Sequence, residues 1–193
     1  MIKTKIFNAP PIDKKEALRY ASCKTADEAS MALLESVISE AGGVLNYRAI
    51  YCELNFTIDE DFCDFGLFSI NSKSLAENLK GASRVVLFLV SIGLAYDRLI
   101  AKYSKTNPSR AFMLASLGNE RVEALADELV LHLEKEYSLS SGARFSPGYG
   151  DLPLSVQKPV FELLKPESKL GVYLNEEFIM SPSKSVTAFV ALR

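Results

Sequence analysis

The residues best equipped for chemistry lie together at Arg144-Phe-Ser-Pro-Gly-Tyr-Gly-Asp-Leu-Pro153. Arg144 offers a planar guanidinium fork that suits a carboxylate, and Tyr149 adds an electron-rich ring and a hydroxyl. Gly148 and Gly150 lack a Cβ, so backbone N–H groups around them can approach a bound group closely. Loops of this make-up often serve recognition, and the same residues would also make a tight turn with a surface arginine. Elsewhere reactive groups are scarce. His132 is the one histidine, and Cys23, Cys52 and Cys63 are an odd set with no C-x-x-C spacing, which speaks against a self-contained zinc site or a disulfide framework. A Ser-His-Asp or Cys-His unit would have to use His132, which lies in a helical stretch with no nucleophile signature beside it. G-x-G-x-x-G and G-x-x-x-x-G-K-[ST] are both absent, so the usual Rossmann fold and the P-loop lose support.

The elements that must position this loop are legible in outline. Asp13 with Glu16, and Thr25 with Glu28, each place an N-cap oxygen three residues before an acid, the spacing of a capping box. Met31, Leu34, Ile38 and Ala41 keep helical spacing after the second, and Gly42-Gly43 supplies residues that tolerate positive φ for a helix stop. From Arg48 the period changes to two: Ile50, Cys52 and Leu54 alternate with Tyr51 and Glu53, a strand with one buried face, and Phe65 to Ile70 reads as another. Arg84 to Val90 is continuously apolar and belongs mid-sheet, covered on both sides. Pro108 suits the first turn of a helix whose apolar positions run from Arg110 to Tyr137, with Gly118-Asn119 as a bend or break. Ser146 to Pro153 is irregular because Pro and Gly punctuate it, a short helix follows Ser155, and Val186 to Leu192 reads as a final strand. Helices and strands do not alternate as strict βαβ units, so the fold class is α+β, with residues 1–193 forming one compact domain whose first 45 residues are largely helical.

Composition excludes more than it proposes. The 193 residues carry 22 Lys+Arg against 24 Asp+Glu, a net charge of −2, with 48% hydrophobic and 24% charged residues. That balance, with no basic run interleaved with aromatics, gives nucleic acid no electrostatic footprint. The apolar stretch from Val85 to Ala95 is 11 residues long, short of the roughly 20 that a membrane-spanning helix needs. Met1 to Phe7 lacks the apolar core of a signal peptide, and the expected setting is a reducing cytoplasm. His132 reads as a partly exposed helix residue, and the cysteines as core or half-buried strand residues, with Cys23 in its polar stretch the most open to reaction.

Three blocks in order carry a family resemblance. Arg144-Phe-Ser-Pro-Gly-Tyr149 matches an R-x-x-P-G-Y motif, and Leu163-Leu164 follows it. Leu174-Asn-Glu-Glu-Phe-Ile-Met-Ser-Pro-Ser-Lys-Ser-Val186 resembles an L-[TN]-E-S-x-x-M-x-P-x-x-S-V block, and upstream Glu123-Ala-Leu-Ala-Asp127 is similar to a helical E-A-x-A-[DE] segment. Together they resemble the activation domain, or S-adenosylmethionine-binding domain, of cobalamin-dependent methionine synthase and its free-standing relatives, with matching pieces over about residues 85–190.

The resemblance implies a mainly antiparallel twisted sheet with flanking helices. It implies a reactivation component, an accessory of a methyltransferase: S-adenosylmethionine is the methyl donor, a reductant such as flavodoxin supplies an electron, and cob(II)alamin is reductively methylated. No D-x-H-x-x-G corrin-binding motif is present, so cobalamin comes on a partner, either a methionine synthase chain or another corrinoid protein. A rival reading is a non-catalytic module that binds S-adenosylmethionine or a corrinoid protein. Arg144, Ser146, Gly148, Tyr149 and Glu123 take the family's ligand-binding positions: Arg144 for a carboxylate, Glu123 for a cationic or donor group, backbone at Ser146 and Gly148, and the Tyr149 ring near a sulfonium or the corrin edge. On composition alone, Glu123 is a solvated helix residue, and Asp151 binds or merely caps the turn. Longer relatives use a tyrosine beyond the final strand and an acid near the N-terminus, neither of which is placed in this chain. The corrin is large, so the Arg144–Tyr149 loop is expected to border an open cleft.

Overall fold

The computed structural model describes residues 1–23 and 27–193. In chain order these form β1 (Lys3–Ile6), α1 (Lys14–Tyr20), α2 (Glu28–Ala41), β2 (Arg48–Leu54), β3 (Thr57–Asp59), β4 (Phe62–Asp64), β5 (Ser69–Asn71), α3 (Lys73–Leu79), β6 (Arg84–Ser91), α4 (Leu94–Tyr103), α5 (Pro108–Tyr137), a 3-10 turn (Leu154–Val156), α6 (Gln157–Leu164), α7 (Pro166–Leu170), β7 (Tyr173–Leu174), β8 (Met180–Ser181) and β9 (Ser185–Leu192). The fold is α+β. Its main sheet has the order β1-β2-β6-β9, with every neighbour antiparallel.

β6 lies inside that sheet, and Val85 to Val90 are fully buried, as the unbroken apolar run requires. Side chains alternate across the pleat. Val86, Phe88 and Val90 join the core under α1, α2, α4 and α5, whereas Val85, Leu87 and Leu89 join a second core under α3, α6 and the small β3-β4-β5 sheet. Register carries both layers to β9, with Leu87 opposite Phe189 and Val86 opposite Val190. No helix among the described residues is long and apolar enough to cross a membrane.

Several local expectations are corrected. Thr25 lies outside the described residues, and the cap seen on α2 is Asp27, whose side chain accepts the Ser30 N–H at 2.7 Å. Gly42 ends that helix in a right-handed conformation at φ −55°, so no left-handed glycine is used there. In β2, Tyr51 is buried along with Ile50 and Cys52, because both faces of the sheet are covered. Phe65 to Ile70 is not one strand: Phe65 N–H bonds to the Phe68 carbonyl, and the chain reverses between β4 and β5. α5 runs 30 residues through Gly118 without a break, because that glycine is where Tyr96 and Lys184 press against the helix. Arg121 on α5 is wholly buried, pairs with Glu120, and donates to the carbonyls of Pro10 and Pro11 at 2.7 Å each, tying the N-terminal segment down.

Candidate functional site

The loop after α5 is braced at three points. Phe145 exchanges two backbone hydrogen bonds with Phe189 of β9, at 2.9 and 2.8 Å, which fixes its neighbour Arg144 beside the sheet. Within the turn, Gly148 N–H donates to the Leu152 carbonyl at 2.9 Å and Tyr149 N–H to the Ser146 carbonyl at 3.1 Å. Asp151 then clamps the loop to the start of α3, its carboxylate accepting from Ser72 Oγ, Lys73 N and Ser74 N, and the Ser72 hydroxyl holds its pKa below the usual aspartate value. Asp151 is therefore a cap of α3. Gly148 at φ +96° and Gly150 at φ +55° occupy backbone that side chains disfavour, and a Cβ on Gly150 would lie 2.8 Å from Ser74 Oγ. Both glycines thus shape the turn, and the Gly148 N–H is already spent within it.

Beside this loop opens a cleft of about 680 Å³, within the usual range for small-molecule sites of about 300–1,000 Å³. Of the five residues singled out in the sequence, Glu123, Arg144, Ser146 and Tyr149 line it, while Gly148, exposed in the turn, does not. The loop forms one wall, and the opposite wall is the Phe178–Met180 segment with Ser185, Val186 and Thr187 of β9. The rim is apolar and open, with Tyr149 61% and Ile179 58% exposed.

Charge is concentrated at one place. Arg144 Nη2 donates to Glu123 Oε2 at 2.9 Å and lies 3.0 Å from Asp127 Oδ1, two acids one turn apart on α5. Arg144 Nη1 is buried and has no hydrogen-bond partner. The fork is therefore half engaged by acids and half unspent, which differs from a wholly free arginine. Two carboxylates around one guanidinium leave a net negative pocket with an unused Nη1 amino group, so it can take an ammonium on one side and an acceptor on the other.

The structure adds three residues on the side of the cleft. Asp127 ends the Glu123–Asp127 block, and its spacing of four from Glu123 puts both acids on one face of the helix. Gln157 and Thr187 are 3% and 2% exposed, and Thr187 Oγ1 donates to Gln157 Oε1 at 2.9 Å. Nothing in the local sequence joins those two. The reactive groups outside the cleft are quiet: Cys52 and Cys63 are buried, burial pushing the Cys52 thiol up to about 11, and Cys23 is half-buried. His132 is partly exposed on α5, its imidazole 3.3 Å from the Tyr51 hydroxyl.

The family model of the vitamin B12 dependent methionine synthase activation domain matches residues 73–192, a span from the first residue of α3 to the last of β9 that holds the whole cleft. Among solved structures, the crystal structure of the MetH reactivation domain bound to AdoHcy is similar, with a TM-score of 0.78 and 16% identity over 99% of this chain and 78% of that one. At that identity the likeness is one of fold. No curated relative matches by sequence. With the family model covering more than half of its length, the chain belongs to the family of the vitamin B12 dependent methionine synthase activation domain.

Proposed function

We propose that the cleft binds S-adenosylmethionine and that residues 1–193 act as one unit, in trans, to support reductive methylation of cob(II)alamin carried by a partner chain. The observation that carries this reading is the unpartnered, buried Arg144 Nη1 beside Glu123 and Asp127 in an open cleft. A buried donor without a partner costs free energy, and a ligand carboxylate would satisfy it. Glu123 and Asp127 suit the ammonium of the same amino-acid group, so the donor set fits both charges of the ligand. S-adenosylmethionine would supply an electrophilic methyl group and leave as S-adenosylhomocysteine, and the partner's cobalamin, after gaining one electron from a flavodoxin-type reductant, would supply the nucleophilic cobalt.

This chain's own residues bind and orient. Arg144, steadied by two acids, holds the carboxylate end, and the apolar wall of Val186, Met180 and Leu154 excludes water from the remainder. Tyr149, 61% exposed on the rim, presents its ring to whatever approaches from solvent, a suitable surface for a sulfonium or a flat macrocycle. Ser146 lines the cleft half-buried and can bond a polar edge of the ligand.

The test is to mix the chain with a cob(II)alamin-loaded methionine synthase chain, a flavodoxin-type reductant and methyl-labelled S-adenosylmethionine. Label on the corrin that requires this chain is the expected result. Ligand binding without label on this or any other corrinoid protein would reject the methylation role.

A further inference from the structure

Gln157 is a deeply buried polar residue of the cleft, and half of its amide is unused. It opens α6, its residue is 3% exposed, and its Oε1 accepts the Thr187 hydroxyl at 2.9 Å. Thr187, itself 2% exposed on β9, holds the oxygen and leaves the NH₂ as the free end of the amide. That Nε2 donates to no group among the described residues, yet Gln157 is a lining residue of the cleft. An amide with one end fixed and the other free is a directional donor, and it will bind an acceptor of matching position.

The surroundings narrow the acceptor. Arg144, Glu123 and Asp127 gather the charges on the α5 side of the cleft. Leu154, Met180 and Val186 make the walls beside Gln157 apolar. A flat heteroaromatic ring with an in-plane nitrogen lone pair satisfies both features, because its faces accept apolar walls and its edge accepts one N–H.

We infer that Gln157 is a specificity-determining residue that reads a ring nitrogen of the ligand's purine base through Nε2, with Thr187 as the positioning residue that fixes the amide's orientation. The inference rests on the cleft being an S-adenosyl ligand site. A neutral hydrogen bond made at a buried site discriminates by leaving the donor unpaired when the acceptor is absent, so ligands lacking that nitrogen bind less well.

Calorimetry with S-adenosylhomocysteine and its 1-deaza, 3-deaza and 7-deaza analogues separates the possibilities. One of the three analogues should bind the unmodified protein about tenfold more weakly than the parent. Gln157→Leu should weaken the parent by a similar factor and erase the penalty for that one analogue, while Thr187→Val should reduce the same penalty by freeing the amide to rotate. Thermal melts of both variants confirm the fold, and the analogue series on unmodified protein stands even if a variant does not fold. Equal binding of all three analogues by the unmodified protein would overturn the purine assignment, and unaltered parent affinity in Gln157→Leu would overturn any role of the amide. Absence of parent binding to the unmodified protein would overturn the cleft reading itself.

Discussion

Gly118 in the middle of α5 offers a sharp test of how the site is held. An ideal Cβ at this position would lie 2.6 Å from Tyr96 Cε1 and 3.0 Å from Lys184 Cε. Alanine would favour the helix by about 1 kcal/mol over glycine. Against this, Tyr96 is wholly buried and its hydroxyl donates to the Leu114 carbonyl at 2.7 Å, so its ring has no free direction. Overpacking of this kind costs about 1–3 kcal/mol, and weakening a buried hydroxyl's bond adds about 1 more. The Lys184 stem can swing aside, but only by loosening its 2.6 Å bond to Asn119. The losses outweigh the gain, and Gly118→Ala should destabilise the protein by about 2 kcal/mol, a fall of roughly 4–8 °C in melting temperature for a chain of this size. Urea and thermal melts followed by circular dichroism measure it. Gly43→Ala is the comparator, because nothing lies within 4 Å of its Cβ position, and it should be neutral or stabilising by up to about 1 kcal/mol. A Gly118→Ala protein as stable as the native one would show that Tyr96 yields and that close packing is not what keeps glycine there.

Other outcomes follow from the same geometry. Asp151→Ala removes the acceptor for three donors at the start of α3; it should lower both the melting temperature and the affinity for S-adenosylhomocysteine, and a change in neither would separate the clamp from the site. Glu40 is held at a pKa of about 2 by hydrogen bonds from Tyr103 and Arg110. Its folded value lies below the unfolded one, so its stabilisation is present above pH 4.5 and lost as pH falls toward 2, and Glu40→Gln should flatten that limb of a melting-temperature profile. Burial, with Lys5 nearby, lowers the His132 pKa from its usual 6.5. The unfolded chain then binds this proton more readily, stability falls as pH drops through 6.5, and His132→Asn should remove that slope.

Much of this fold could be read from the chain because local and global preferences agree. β6 shows itself as an unbroken apolar run, and α5 carries both Pro108 in its first turn and a sustained period, to which the structure adds an Asn107 cap that accepts the Arg110 N–H at 3.1 Å. Other elements were hidden for physical reasons. α4 follows Gly93, which offers no side-chain cap, and shares one apolar stretch with β6, so no change of period marks where the strand ends. The hairpin tip at Phe65–Phe68 is aromatic and looks like strand. Arg121 reads as surface on charge alone, and only the Pro10 and Pro11 carbonyls explain its burial. In the site, Glu123 and Arg144 could be singled out in motifs, but their 2.9 Å contact is a product of the fold. Gln157 and Thr187 lie 30 residues apart, and their pairing arises from α6 packing on the sheet.

If Arg144 anchors an S-adenosyl ligand, its removal must show in the affinity. Calorimetric titration of S-adenosylhomocysteine into the native protein and into Arg144→Ala tests it directly. A charge-assisted hydrogen bond contributes about 1.5–3 kcal/mol, so the variant should bind roughly ten- to a hundredfold more weakly while still melting cooperatively. Equal affinity in the two proteins would show that Arg144 is not the anchor.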